Sequence, residues 1–88
     1  MITLVYTTLG MFIGKISDFD GKVMSISDSI QLMLVPTQQG IAFQMFQLGM
    51  TRIKDEHIQS TCELIKTSPL YSQYLSTLSN LHLAGSKN

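Results

Sequence analysis

Gly14-Lys15-Ile16-Ser17-Asp18-Phe19-Asp20-Gly21-Lys22-Val23-Met24-Ser25-Ile26-Ser27-Asp28-Ser29-Ile30 is the stretch around which the rest of the chain arranges itself. Asp20-Gly21 is a tight-turn signal, because glycine accepts the positive φ that short hairpin turns require. Strand-forming residues flank it. Phe12, Ile13 and Ile16 come before the turn. After it, Met24, Ile26 and Ile30 alternate with Ser25, Ser27 and Ser29, which makes one face apolar and the other hydroxyl-rich. Asp28 breaks the apolar face, so its carboxylate is expected to be hydrogen-bonded or to sit at a bend.

Working outward toward the N-terminus, Ile2, Leu4 and Tyr6 alternate with Thr3, Val5 and Thr7, a strand pattern. Gly10 is expected at a bulge or bend, with Met11 to Ser17 continuing as strand. Toward the C-terminus, Leu32-Met33-Leu34-Val35 runs into Pro36-Thr37-Gln38-Gln39-Gly40, a turn. In the next segment Ile41, Phe43 and Met45 fall on one face, and Ala42, Phe46 and Leu48 on the other. Gly49 interrupts, and Met50 to Ile53 reads as a short last strand. These two segments are apolar on both faces. A small barrel has only one inward face per strand, so the surplus needs a helix or a second subunit to cover it.

The remainder reads as helical. Asp55 is a candidate N-cap for Ile58, Cys62 and Ile65 at i, i+4 and i+7, with Leu64 widening the stripe. Ser68-Pro69 is a second helix start, followed by Leu70, Tyr71, Tyr74, Leu75, Leu78 and Leu81. That helix should end near Gly85, with Ser86 to Asn88 frayed. The expected fold is mainly β: a small, strongly bent five-stranded antiparallel barrel over residues 1–54. One or two helices in residues 55–88 pack on it as part of the same single domain.

Eighty-eight residues fit one domain. Of these, 44% are hydrophobic and only 14% charged, with six Lys+Arg balancing six Asp+Glu. So small a chain has a large surface for its volume, and this composition fits a subunit that hides some of that surface in partners. Zero net charge argues against sequence-blind nucleic-acid binding, which rests on phosphate neutralisation. Lys15, Lys22, Arg52, Lys54, Lys66 and Lys87 do not cluster in sequence. The lone Cys62 fits a reducing, cytoplasmic setting. The first residues lack the basic start of a signal peptide, and no run approaches the ~18 apolar residues of a membrane span, so a soluble protein is expected.

No catalytic constellation stands out. Asp18, Asp20 and Asp28 read as turn and strand-end residues rather than as a metal or acid–base cluster. His57 and Cys62 are five apart, on different faces of the expected helix, and the two His and one Cys fall short of the four ligands of structural zinc. His82 near a helix C-terminus suits the helix dipole. No general base can be assigned to Cys62 or to a serine, and no phosphate-binding glycine loop is present. The chain is expected to be a non-enzyme with no cofactor, no metal and no small-molecule substrate.

The hairpin resembles the first signature motif of the Sm-like (LSm) proteins. Gly14, Ile16, Phe19, Asp20, Val23, Ile26 and Asp28 fall at that motif's positions, with Met24 where the family has Asn. Gln47-Leu48-Gly49 followed by Ile53 is similar to the second motif, with Leu48 in place of its Arg. Sm-like proteins usually carry their helix before the barrel rather than after it. Divergent members occur in phages, and this chain is similar to that type. The resemblance implies a homo-oligomeric ring whose fourth and fifth strands pair between neighbours, an arrangement that also covers exposed edges. Leu32, Leu34, Phe46, Leu48, Met50 and Ile53 are the expected interface residues. It further implies single-stranded RNA held around the pore, with the ring as scaffold or RNA chaperone. Phe19, Asp20, Lys22, Met24 and Arg52 are the candidate contacts. Met24 could pack on a base without reading its edge. Met24, Leu48 and the neutral charge equally suit a structural or protein-binding ring with no nucleic-acid role.

Overall fold

A computed structural model describes residues 1–86, with side chains described through residue 79. The described chain is mainly β. Its elements are β1 (Thr3–Thr7), β2 (Gly10–Phe19), β3 (Val23–Thr37), β4 (Gly40–Lys54), a 3-10 turn (Asp55–His57), β5 (Ile58–Glu63) and one helix, α1 (Pro69–Ser86). The strands form one antiparallel sheet in the order β4-β3-β2-β1-β5. Among the described residues β4 and β5 do not pair with each other, so the sheet keeps two free edges.

Three hairpins build the sheet. The Asp20-Gly21-Lys22 loop joins β2 to β3, with Gly21 at φ +88°. Gln38-Gln39 joins β3 to β4, closed by the Thr37 hydroxyl donating to the Gly40 carbonyl at 2.8 Å. Thr8-Leu9 joins β1 to β2. Gly10 is therefore the residue opposite Thr7 in a hairpin, rather than a bulge within one long strand. Pro36 lies inside β3, where a missing N–H costs nothing on the side that β2 no longer reaches: β2 pairing ends at Met11 opposite Leu32.

A line of irregularities crosses the sheet at its middle. The β2–β3 register shifts at Gly14, and the β3–β4 register shifts on either side of Ser29. Asp28 stands there at φ +49° with its carboxylate on the surface, 3.8 Å from Lys15 Nζ, so the acidic residue marks a bend as its position foretold. Ser29 is buried, donates to the Gly49 carbonyl at 2.6 Å and lies 2.6 Å from Thr51 Oγ1. Gly14 is close-packed: a Cβ there would stand 2.5 Å from Ile26 Cγ2 and 2.8 Å from the Ser27 carbonyl.

The bend separates two cores. On one face Ile2, Leu4, Ile13, Ile30, Leu32 and Leu64 pack under α1, whose Tyr74 is fully buried among them. On the other, Val5 and Phe12 meet Met24, Ile26 and Ile53, with Ile58 against them. Phe12 pairs with Gln31, several residues along β3 from Met24 and Ile26, so sharing a core with those two requires the sheet to curl. α1 is held at its start by the Ser68 carbonyl, which accepts from Tyr71 and Ser72 N–H, and at its middle by Tyr74 Oη donating to the Asp28 carbonyl at 2.7 Å.

Two expectations are corrected. Residues 55–63 are not helical: Asp55 opens a three-residue 3-10 turn without a side-chain cap, and Ile58–Glu63 is the fifth strand, paired with β1. The boundary at residue 54 consequently falls between paired parts of one sheet, and the helix count is one. Nor does Gly49 end a strand. At φ +77° it is absorbed as an irregularity inside the fifteen-residue β4. Of the other C-terminal expectations, the side chains of Leu81 and His82 lie outside the described residues, as do residues 87 and 88.

Candidate functional site

Three surface features are built by this scaffold. The first is a rim where two turns meet. The Asp55 N–H donates to the Lys22 carbonyl at 2.8 Å and ties the β2–β3 loop to the turn after β4. Register places Lys54 opposite Val23 and Arg52 opposite Ser25, with Asp18 across Ser25 on the other side. Phe19, Lys22, Arg52 and Lys54 are all exposed on this rim, Phe19 at 46%. Asp18, Asp20, Asp55 and Glu56 are exposed there too, so three cations face four carboxylates. Asp20 serves the loop. Its Oδ1 accepts the N–H groups of Lys22 (2.8 Å) and Val23 (2.9 Å), and these bonds, Val23 first, hold its carboxyl below the usual range.

Of the five residues expected to contact RNA, the fold brings Phe19, Asp20, Lys22 and Arg52 to the rim and withholds Met24. Met24 is 4% exposed and belongs to the core with Ile26 and Ile53. Its alternation with the serines turns it inward, so no base could pack on it. Lys54 joins the rim without having been singled out; its signal was the reversal that Asp55 begins.

The second feature is an arm. Beyond Met11 the β3–β4 hairpin has no β2 beside it. Leu34 pairs with Phe43 and Leu32 with Met45, so Leu34, Phe43 and, by alternation, Ile41 lie on the face that carries α1. α1 reaches as far as Met45, whose sulfur lies 3.8 Å from Thr77 Oγ1. Past that point Leu34, Phe43 and Ile41 are exposed, Ile41 at 75%. Met33 and Phe46 are exposed on the opposite face, and Leu48 and Met50 flank the Gly49 irregularity, also exposed. Four expected interface residues, Leu34, Phe46, Leu48 and Met50, are therefore on the surface. The other two, Leu32 and Ile53, are core residues and cannot meet a partner.

The third feature is an open groove of about 490 Å³ between the end of β5 and the first turns of α1, lined by Ile2, Leu64, Ile65, Lys66, Tyr71 and Leu75 among others. Ile65 and Leu75 are exposed at its mouth. Sequence reasoning placed these residues on helix stripes and missed the groove, because it depends on β5 being a strand.

Cys62 is exposed on β5, and Thr8 Oγ1 lies 2.9 Å from His57 Nδ1. Among the described residues no three His, Cys, Asp or Glu side chains converge, and no helix is long and apolar enough to cross a membrane. No family model, no curated protein and no solved structure matches this chain.

Proposed function

We propose that this chain is a structural subunit of Sm-like type that joins copies of itself, sheet edge to sheet edge, into a closed homo-oligomeric ring. The observation that carries the reading is the free edge of β4 with the uncovered apolar side chains around it: Leu34, Ile41, Phe43, Phe46, Leu48 and Met50. A free edge of that length and hydrophobicity is an aggregation hazard for a monomer and an asset for an assembly. Light scattering on the purified chain tests this. A mass that is a multiple of 9.8 kDa, falling when Leu48→Lys and Met50→Lys are combined, supports assembly; a monomer mass at all concentrations overturns it.

A second reading, single-stranded RNA held on the rim, is favoured by one arrangement: the exposed Phe19 ring near Lys22, Arg52 and Lys54 on two turns joined by a backbone hydrogen bond. Stacking on an aromatic ring beside cations is the general physics of single-strand binding. The excess of carboxylates there and the burial of Met24 place it second. Labelled oligo(U) and oligo(A) at two salt concentrations decide it. Binding that weakens with salt and with Lys22→Glu or Arg52→Glu supports the RNA reading, and no binding at low salt removes it.

A further inference from the structure

We propose that the β4 edge of one copy pairs with the β4 edge of a second copy, antiparallel, about a two-fold axis beside Phe43. This rests on edge-to-edge assembly and names which edge meets which. Neighbouring strands are antiparallel throughout the order β4-β3-β2-β1-β5, so the two edges, β4 and β5, run in the same direction. If β4 met another copy's β5 with both α1 faces on one side, the pairing would be parallel, which is the less stable kind per residue. An antiparallel pairing of those two edges would turn the α1 faces to opposite sides. Rotation about an axis normal to the sheet avoids both outcomes. It sets β4 against β4, antiparallel, with the two helices on the same face.

The side chains select the same partner. β5 presents Gln59, Ser60, Thr61 and Glu63, all exposed and polar. The β4 edge is flanked by exposed Leu34, Ile41, Phe43 and Phe46, and no charged residue stands between Asp28 and Arg52. Edges that stay single are guarded by charges, proline or bulges. Here the guard is the irregularity at Gly49, which leaves residues 40–47 of β4 as a regular, uncharged edge.

The register follows from Pro36. It stands opposite Ile41 and has no N–H, so the pairs that exchange hydrogen bonds in this hairpin are the alternate ones: Val35 with Ala42, Met33 with Gln44 and Gln31 with Phe46. Ile41, Phe43 and Met45 consequently turn their N–H and C=O groups outward. A two-fold normal to the sheet places each residue opposite one from its own face. Centred on Phe43, it opposes Phe43 to the partner's Phe43 and Ile41 to the partner's Met45, and their outward groups bond one another. Centred on Gln44 it would set Ile41 against Gln47, and centred on Met45 it would set Phe43 against Gln47. Burial of apolar against apolar places the axis at Phe43. Ile41 and Phe43, 75% and 49% exposed in one copy, are then both covered. Pairing spans residues 40–46 and stops short of the Gly49 irregularity. A ring built from such pairs closes through a second two-fold contact, β5 to β5, and holds an even number of copies.

Site-directed cross-linking tests the proposal. In a Cys62→Ser background, Phe43→Cys and Ile41→Cys are made singly, and each protein is oxidised after its mass has been measured by light scattering. All three positions are exposed, so folding is expected to survive. The two Phe43 positions would stand ~5.5 Å apart between Cα atoms, within disulfide reach. The two Ile41 positions would be offset by ~13 Å along the strands, beyond it. Phe43→Cys should therefore give a covalent dimer on a non-reducing gel, and Ile41→Cys, although the more exposed site, should not. An assembled protein in which Phe43→Cys gives no dimer, or Ile41→Cys gives as much, overturns the two-fold pairing while leaving edge-to-edge assembly standing. So does a ring with an odd number of copies. A monomeric parent chain removes both. Independently, Phe43→Lys and Phe43→Glu should each weaken association by about tenfold or more, because like charges would meet on the axis. Mixing the two variants should restore association, since only a two-fold contact sets residue 43 against itself, and failure to restore it counts against the pairing.

Discussion

Ser29 shows how single residues set the bend on which both cores depend. Its hydroxyl is fully buried between the Gly49 carbonyl and the Thr51 hydroxyl, where two strands lose register. Ser29→Ala leaves that carbonyl without its donor and should cost about 1–3 kcal/mol in urea unfolding. Gly14→Ala should cost a similar ~1–3 kcal/mol, because its new methyl would meet backbone as well as a side chain. Tyr74 fastens α1 to the same bend. Burial, and then the nearby Asp28 carboxylate, push its phenol up to about 12. Unfolded, it would ionise near its ordinary ~10. Its contribution is therefore whole below pH 10 and is lost as pH rises from about 10 to about 12. Tyr74→Phe should be less stable than the parent by about 1 kcal/mol at neutral pH, and its stability should fall less steeply across that alkaline window. Parallel slopes would show that Tyr74 is not the group responsible.

At the scale of elements, the local signals were legible and the long-range ones were not. Asp20-Gly21 and the residues around Gln38-Gln39 carry their turns in their own chemistry, and Ser68-Pro69 marked the start of α1. Residues 58–65 misled because Ile58, Cys62 and Ile65 have helical spacing. What decides that segment is the far edge of β1, which needs a partner for Thr3–Thr7 and finds it some fifty residues later. Met24 was placed in the correct strand and on the apolar face, yet the family motif drew it to the surface; burial with Ile26 and Ile53 settles its position. Of the site, the excess of apolar side chains was visible in the sequence, but which of them the helix covers was not, since that depends on where α1 crosses β4. α1 covers Ile2, Leu4, Ile13, Ile30, Leu32 and Leu64. A chain ending at Thr67 should therefore lose cooperative thermal unfolding, read by circular dichroism; an unchanged midpoint would mean that α1 contributes nothing to the core.

For the whole molecule, the two free edges and the uncovered apolar side chains along β3 and β4 are the surface that the proposed edge-to-edge assembly would close. The neutral charge removes the repulsion that would keep copies apart, and it gives little hold on a polyanion. Amide hydrogen exchange, followed residue by residue at protein concentrations above and below dissociation, reads the edges directly. Edge-to-edge assembly predicts that outward-facing amides of β4 and β5 exchange slowly when concentrated and quickly when dilute, while β2 stays protected throughout. Fast exchange along both edges at every concentration would contradict it.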